Sequence, residues 1–188
     1  MKRTIKRSLM LAPAVLLTAV FISPADASTT VVHDPKGDQL TSDAPYLDVK
    51  RAQLVDKERG TLRFKMKLAG PVPGLPSEPV LIWPFHVDTV PNTLAGSPPL
   101  YNEYIVRVRR LNGVFDAHLV NRTTTQPTFT PIPFSVDGST IEASVDLGLL
   151  GNPSSFGWNA ATRPGTAVPY QDFAPDGGTA ADLVTWSR

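Results

Sequence analysis

Short stretches of alternating apolar and polar residues recur along most of the chain. In Thr61–Leu68, every second residue from Leu62 onward is apolar, and the three residues between them are basic. Successive side chains of a β-strand point to opposite faces, so this stretch predicts a half-buried antiparallel strand with a solvated basic face. Similar or less regular patterns predict strands at 47–56, 80–88, 103–111, 114–121, 134–136, 140–146 and 156–162, with a further strand or a docked tail at 180–188.

Turn signals separate the predicted strands. Asn112-Gly113 lies between two alternating stretches, and both residues tolerate the positive φ of a type I′ turn, so a β-hairpin is predicted there. Asp137-Gly138 predicts a second hairpin by the same reasoning. Residues 147–151 form one helical turn at most.

Seven to nine short strands and no helix of three turns define the expected fold class. We predict an all-β protein, an antiparallel β-sandwich of jelly-roll-like type, with residues 28–188 as a single domain. Alternation breaks near Arg51, which indicates a β-bulge. Pro84 has no backbone N–H to donate, so we expect it at a sheet edge or in a bulge.

Residues 1–27 have the organisation of a secretory signal peptide. A basic start at 2–7 precedes an apolar stretch at 9–22, and Ala-Asp-Ala at 25–27 fits the small-residue pattern for cleavage before Ser28. The alternative is an uncleaved membrane anchor, but the apolar stretch is shorter than the roughly 20 residues that span a bilayer. We therefore expect a secreted, extracellular protein without membrane insertion after cleavage.

Cysteine is absent from the chain, which excludes disulfides and lipid attachment through cysteine. Outside the cytosol the domain must therefore be held together by core burial, with a bound metal ion as the remaining cross-link.

Charge argues against nucleic acid as a partner. Of the 18 Lys and Arg and the 17 Asp and Glu, four basic residues and one acidic residue lie in 1–27, so 28–188 carries a formal net charge of −2. Arg107, Arg109 and Arg110 form a short basic cluster without the interleaved aromatic residues that single-strand binders use.

Two acidic turns bracket residues 28–188, one at 34–38 and one at 172–177, and each combines Asp with Pro and Gly. The termini of a domain often lie close together, so the two turns are expected to meet. Converging carboxylates repel one another and require a cation, amide donors or protons, and hard oxygen ligands favour calcium. The predicted structural calcium ligands are Asp34, Asp38, Asp172 and Asp176, with Asp48 as a fifth. The alternative is that these residues only bond backbone amides within Asx-turns.

The three histidines, His33, His86 and His118, are too far apart in sequence for a metal motif and are interpreted as separate surface or loop residues. No serine-nucleophile elbow, phosphate loop or dinucleotide fingerprint is present.

Aromatic residues are candidates for sugar binding, because pyranose rings stack on exposed aromatic faces. Trp83 and Trp158 lie in apolar strands and are expected in the core. Tyr101 and Tyr170 lie in loops rich in Pro and Gly, so they are the predicted ligand-binding pair.

Seven short motifs follow one another along the chain. They are Asp34-Pro35-Lys36-Gly37-Asp38, Leu47-Asp48-Val49, Thr61-Leu62-Arg63-Phe64, Val87-Asp88-Thr89-Val90-Pro91-Asn92-Thr93, Asn102-Glu103-Tyr104, Phe156-Gly157-Trp158 and Asp172-Phe173-Ala174-Pro175-Asp176. Their order resembles that of secreted bacterial β-sandwich domains of the broad DOMON and family 9 carbohydrate-binding-module type.

The resemblance covers nearly all of 28–188 and implies a non-catalytic module, of a kind in which some members bind sugars and some carry a structural calcium. One departure concerns the loop after the fourth motif. Related domains commonly have Asp-Thr-Asp before a short turn, whereas here Val90 stands at the second acidic position and the loop continues through Leu100.

Together these features favour a secreted non-catalytic binding or interaction module for cell-wall or extracellular polysaccharide. One alternative is a secreted hydrolase that uses two carboxylates from among Glu103, Glu142 and Asp146. Another is a purely structural envelope or matrix protein.

Overall fold

The computed structural model describes residues 28–38, 44–57, 60–74, 78–90, 102–165, 169–176 and 182–188. The predicted signal peptide at 1–27 and Tyr101 lie outside these ranges. In chain order the strands are β1 (Thr29–His33), β2 (Val49–Lys57), β3 (Thr61–Leu68), β4 (Val80–Asp88), β5 (Tyr104–Leu111), β6 (Val114–Asn121), β7 (Thr128–Pro131), β8 (Phe134–Asp137), β9 (Thr140–Asp146), β10 (Ser155–Pro164), β11 (Asp172–Ala174) and β12 (Val184–Ser187). A single 3-10 turn, Leu147–Leu150, follows β9. Within the described ranges, no helix has the length and apolar character to cross a membrane.

The strands form two antiparallel sheets, which confirms the predicted all-β sandwich. One sheet has five strands in the order β1-β2-β3-β9-β8. The other has seven, in the order β11-β10-β4-β5-β6-β7, with β12 also paired to β10. The described residues form twelve strands rather than seven to nine, because β1, β7, β11 and β12 have only three to five residues each and show little alternation.

The core lies between the two sheets and is built from the apolar faces of their strands. Trp83, Trp158 and Trp186 are fully buried, which confirms the core placement predicted for the first two. Trp186 stacks on Phe156 with ring centroids 4.7 Å apart, so the core contact holds the last strand onto β10.

Two local predictions are confirmed. β5 and β6 pair from Leu111↔Val114 onward, and the two residues between them, Asn112 and Gly113, have φ of 48° and 88°, as a type I′ turn requires. In the β2–β3 pair the register shifts between Val49 and Arg51, at the predicted bulge.

The prediction for Pro84 was wrong. Pro84 lies in β4, a central strand between β10 and β5, and the pairing with β10 has the same register before and after it. The pairs that Ala161 and Thr162 would make with this part of β4 are missing. Since proline has no N–H to donate, the sheet tolerates it through a local gap in one ladder, while pairing with β5 continues on the other side.

Edges of both sheets meet where the two acidic turns lie. β1 is an edge strand of the five-stranded sheet and β11 is an edge strand of the seven-stranded sheet. Two hydrogen bonds join these regions: the Val49 amide donates to Asp172 Oδ2 at 2.5 Å, and Thr162 Oγ1 donates to the Leu47 carbonyl at 2.5 Å. The sandwich thus places the start and the end of its described strands beside each other.

Candidate metal site between the sheet edges

Four aspartates from the two acidic turns converge between the sheet edges. Asp34 directly follows β1, Asp38 ends the next turn, Asp172 is the first residue of β11, and Asp176 lies two residues beyond that strand. One carboxylate oxygen from each lies within 4.8 Å of the others. We call these four residues the acidic seam. Its donor set consists of oxygen atoms alone and could hold a metal ion.

Backbone hydrogen bonds fix the first acidic turn. The amide of Asp34 donates to the Lys50 carbonyl at 3.1 Å, which extends the β1–β2 pairing by one residue. Gly37 then has a φ of +87°, a conformation that residues with a Cβ rarely adopt. In that conformation its amide donates to Asp48 Oδ2 at 2.9 Å. The sequence Pro-Lys-Gly therefore bends the chain so that Asp34 and Asp38 reach the same site.

The second turn holds Asp172 through backbone amides. Asp172 is 5% exposed, and its two carboxylate oxygens accept hydrogen bonds from Val49 and from Phe173, the latter at 2.9 Å. Even so, burial raises the pKa of Asp172 to about 7, with Asp38 and Asp48 contributing through their charges. The two amides thus offset only part of the cost of keeping this carboxylate charged.

The carboxylate of Asp34 accepts no such hydrogen bonds from the described residues. Its side chain is 9% exposed, and both carboxylate oxygens are enclosed without a hydrogen-bond partner among the described residues. Burial, followed by the charges of Asp172 and Asp176, raises its pKa to about 8. A buried carboxylate normally has a hydrogen-bond or ion-pair partner, because desolvation of an unpaired one costs several kcal/mol. Either a cation beside it or a proton on it would offset the cost of burying the Asp34 carboxylate.

The other two aspartates are more exposed. Asp38 and Asp176 lie on the solvent side of the acidic seam, and the pKa of Asp176 is raised by burial and then by Asp38. The seam thus has a buried half, formed by Asp34 and Asp172, and an open half through which an ion and water could enter.

Asp48, the predicted fifth ligand, lies beside the four-residue group and outside it. It is 2% exposed, and one oxygen accepts the Gly37 amide while the other has no partner among the described residues. Burial raises its pKa, although the Gly37 hydrogen bond acts in the opposite direction. In this structure Asp48 holds the turn that presents Asp34 and Asp38.

Tyr170, one of the two predicted ligand-binding tyrosines, contacts several side chains of the protein itself. Its hydroxyl lies 3.1 Å from His86 Nε2, and its ring packs against Phe173 at 5.0 Å and under the guanidinium of Arg163 at 5.3 Å. These contacts give the ring a structural role, and a role in ligand binding stays a prediction.

The prediction that His86 is a surface or loop residue was wrong, because it lies in a buried polar network within the sheet. His86 is fully buried in β4, and its Nδ1 lies 2.8 Å from Asn159 Oδ1. Burial lowers the pKa of His86 to about 4, so the ring is neutral at pH 7. A histidine inside an apolar run such as residues 80–87 is the one sequence signal for this network. His33 and His118 lie on other strands, as separate residues.

The carboxylates of the hydrolase alternative have local partners. Glu103 accepts the Thr89 amide at 2.9 Å, and Asp146 accepts the Gly148 amide at 2.7 Å as the cap of the 3-10 turn. Glu142 forms ion pairs with Lys65 at 2.6 Å and with Arg63 at 3.8 Å. Each carboxylate therefore has a structural contact that accounts for its position.

The chain has no match in a scan against protein-family models, in a search of curated proteins, or in a search of solved structures. Its function is therefore inferred from the fold and from the site.

Proposed function

We propose that this chain is a secreted, non-catalytic binding module for polysaccharide, in which a calcium ion at the acidic seam fixes the start of the sandwich to its end. The observation that carries the calcium assignment is Asp34. Its carboxylate is buried, its two oxygens have no partner among the described residues, and three further aspartates surround it.

Calcium suits this donor set better than zinc does. Two oxygens on opposite sides of a calcium ion are about 4.8 Å apart, twice a Ca–O distance of about 2.4 Å. The four seam oxygens fit within that span. Calcium takes six to eight oxygen ligands, so the open half of the site leaves room for water. Zinc prefers nitrogen and sulfur ligands, and the seam has neither.

Calcium would act here as a cross-link. β1 and β11 contain five and three residues, and both are edge strands, so few ladder hydrogen bonds hold them. The chain has no cysteine with which to join them. An ion that binds Asp34 and Asp172 together ties one edge to the other and stabilises the folded state by mass action.

The polysaccharide assignment is supported by the signal peptide predicted from the sequence, by the resemblance to sugar-binding sandwich modules, and by the sandwich itself. The contacts of Glu103, Glu142 and Asp146 favour binding over hydrolysis, because each carboxylate has a structural partner. A purely structural envelope protein is the remaining alternative.

The test is a binding and turnover panel with residues 28–188, the range that contains all twelve described strands. Immobilised cell-wall and extracellular polysaccharides are incubated with the protein in calcium or in EGTA, and both retained protein and released reducing ends are measured. We expect retention without released ends, and less retention in EGTA. Released ends that disappear in Glu103→Gln or Glu142→Gln would instead identify a hydrolase. Retention on no glycan, together with specific capture of a protein partner, would favour the envelope role.

A further inference from the structure

Arg107 is a half-buried cation on the outer face of the seven-stranded sheet. It lies on β5 directly opposite His118 of β6. Its guanidinium lies 5.3 Å from the ring centroid of Phe129, and Nε is enclosed without a hydrogen-bond partner among the described residues. The same residues provide no carboxylate within ion-pair distance of it. A partly desolvated guanidinium normally has an acceptor, so Arg107 is suited to pair with an anionic group of a ligand.

Arg109, on the same strand as Arg107, has an acidic partner. Arg109 Nε lies 3.1 Å from both oxygens of Asp116, and its terminal nitrogen also donates to that carboxylate. His118 Nδ1 is 3.6 Å from the same carboxylate. Asp116 is therefore bonded to Arg109, and it acts on Arg107 through its charge without forming an ion pair with it among the described residues. Burial, and then the like charge of Arg109, lower the pKa of Arg107, although Asp116 acts in the opposite direction.

Phe129 supplies an exposed aromatic surface beside this cation. It lies on β7, the edge strand of the sheet, and its side chain is 54% exposed. Arg107 lies over the ring, and the His118 ring meets it edge-on, with centroids 6.3 Å apart and planes at 85°. These contacts hold the ring in place on an open part of the sheet. An exposed ring fixed in this way can stack against the C–H face of a pyranose.

We propose that Arg107, His118 and Phe129, which we call the Arg107 patch, bind an acidic sugar residue of a polysaccharide. The guanidinium pairs with the sugar carboxylate through two parallel N–H···O bonds, and the pyranose ring packs on Phe129. His118 holds Phe129 from the side. The inference rests on the proposed role as a polysaccharide-binding module and names the chemical class of its ligand.

Calorimetric titration of residues 28–188 in calcium-containing buffer tests the assignment. The acidic probe is a tetrasaccharide of alternating glucuronic acid and N-acetylglucosamine, and the neutral probe is the tetrasaccharide of N-acetylglucosamine. We expect the acidic probe to bind and the neutral one to bind at least about tenfold more weakly, because a charge-assisted hydrogen bond contributes more than a neutral one. Inorganic sulfate separates a sugar site from a simple anion site, since the proposal requires sulfate to bind at least about tenfold more weakly than the acidic probe.

Four variants locate the site. Arg107→Gln should weaken binding of the acidic probe by about tenfold or more, and Phe129→Ser should weaken it without changing the preference for the acidic probe. Arg51→Gln is the matched control, because Arg51 is exposed on the five-stranded sheet. Arg107→Lys keeps the charge but cannot form two parallel hydrogen bonds, so we expect it to bind the acidic probe with intermediate affinity. An unchanged melting temperature in this variant would show that the weaker binding is not caused by misfolding.

The outcomes separate this inference from the proposed function. Binding of the acidic probe that is unchanged in Arg107→Gln overturns the Arg107 patch and leaves the protein a glycan-binding module. A preference for neutral over acidic glycans does the same. Failure of every glycan in the earlier panel overturns both proposals, because the patch is assigned to a sugar ligand.

Discussion

The acidic seam and the β5–β6 hairpin place aspartates in opposite electrostatic settings. In the hairpin, burial alone would raise the pKa of Asp116, but Arg109 bonds both of its oxygens and the net pKa is lowered. In the seam, Asp34 has aspartates as its charged neighbours and its pKa is raised to about 8. The Arg109–Asp116 pair is complete with its own side chains. The seam is complete only when an outside cation or a proton occupies it.

The difference lies in how each pair of residues is brought together. Arg109 and Asp116 lie opposite each other in one hairpin, so local pairing places a cation beside an anion. Asp34 and Asp172 are far apart in sequence and meet because two sheet edges meet. The seam depends on the whole fold, and a bound ion in turn holds the two ends of that fold together. Changes in the seam should therefore affect stability much more than changes in the hairpin.

The largest expected effect is the pH dependence of the calcium-free protein. A carboxyl group whose pKa is about 3.8 unfolded and about 8 folded contributes stability that is fully present below pH 4 and is lost as the pH rises to 8. Asp172, with a pKa of about 7, acts in the same direction. The upper bound for Asp34 is about 5 kcal/mol, from a shift of about four pKa units. Urea unfolding in EGTA between pH 4 and 8 measures it.

Comparison with Asp34→Asn isolates this contribution. His86, with a pKa of about 4, gives the opposite trend, because its stability contribution is present above pH 6.5 and is lost as the pH falls towards 4. The contribution of His86 is the same in the parent and in Asp34→Asn, so it cancels when their free energies of unfolding are subtracted. The parent should lose stability relative to Asp34→Asn as the pH rises. Parallel pH profiles would mean that Asp34 is not a strained carboxylate.

Calcium should reverse the ranking of these two proteins at pH 8. In EGTA, Asp34→Asn should be more stable than the parent by at least about 1 kcal/mol, because it removes a buried charge. Calcium at a hundredfold excess over its Kd should stabilise the parent by about 2.7 kcal/mol and the variant much less. Asp137→Asn is the matched control, since Asp137 is exposed on β8 of the five-stranded sheet. Equal calcium effects in all three proteins would remove Asp34 from the site.

Tyr170→Phe should have a smaller effect, of about 1 kcal/mol, because it removes the hydrogen bond to His86 Nε2 and keeps the ring contacts. Chemical denaturation in saturating calcium measures it. If the variant instead keeps the stability of the parent and loses glycan binding, Tyr170 acts as the ligand-facing residue that the sequence suggested.

Asp116→Asn should have the smallest effect, at most about 1 kcal/mol, since the Arg109–Asp116 pair is partly exposed and solvent screens it. Its stability should not depend on calcium. A loss larger than that of Asp34→Asn in calcium would reverse the comparison between hairpin and seam.

Sequence reasoning recovered the features that depend on local chemistry. Alternation in Thr61–Leu68 predicts a strand because burial of one sheet face requires it, and Asn112-Gly113 predicts a turn because its positive φ values are local properties. The convergence of Asp34 with Asp172 was also anticipated, since acidic turns near the two ends of one domain have a short distance to close.

Features that depend on neighbours from other strands were not recovered. Pro84 was predicted at an edge because the sequence shows that it has no N–H to donate. Whether a neighbouring strand tolerates the missing hydrogen bond depends on how β4 and β10 pair, which the sequence does not show. The buried network of His86 depends on Asn159 and Tyr170, which come from other parts of the sheet. The position of Arg107 opposite His118, with no ion pair to it among the described residues, likewise becomes visible only once the sheet register is known.

Equilibrium dialysis against radioactive calcium at pH 7.5 tests the central claim most directly, because it counts bound ions without relying on stability. We predict one calcium ion per chain for the parent and for Asp137→Asn, and a large loss of affinity for both Asp34→Asn and Asp172→Asn. An absence of bound calcium in the parent at millimolar concentration, or equal binding by the parent and by Asp34→Asn, would contradict the assignment of the acidic seam as a calcium site.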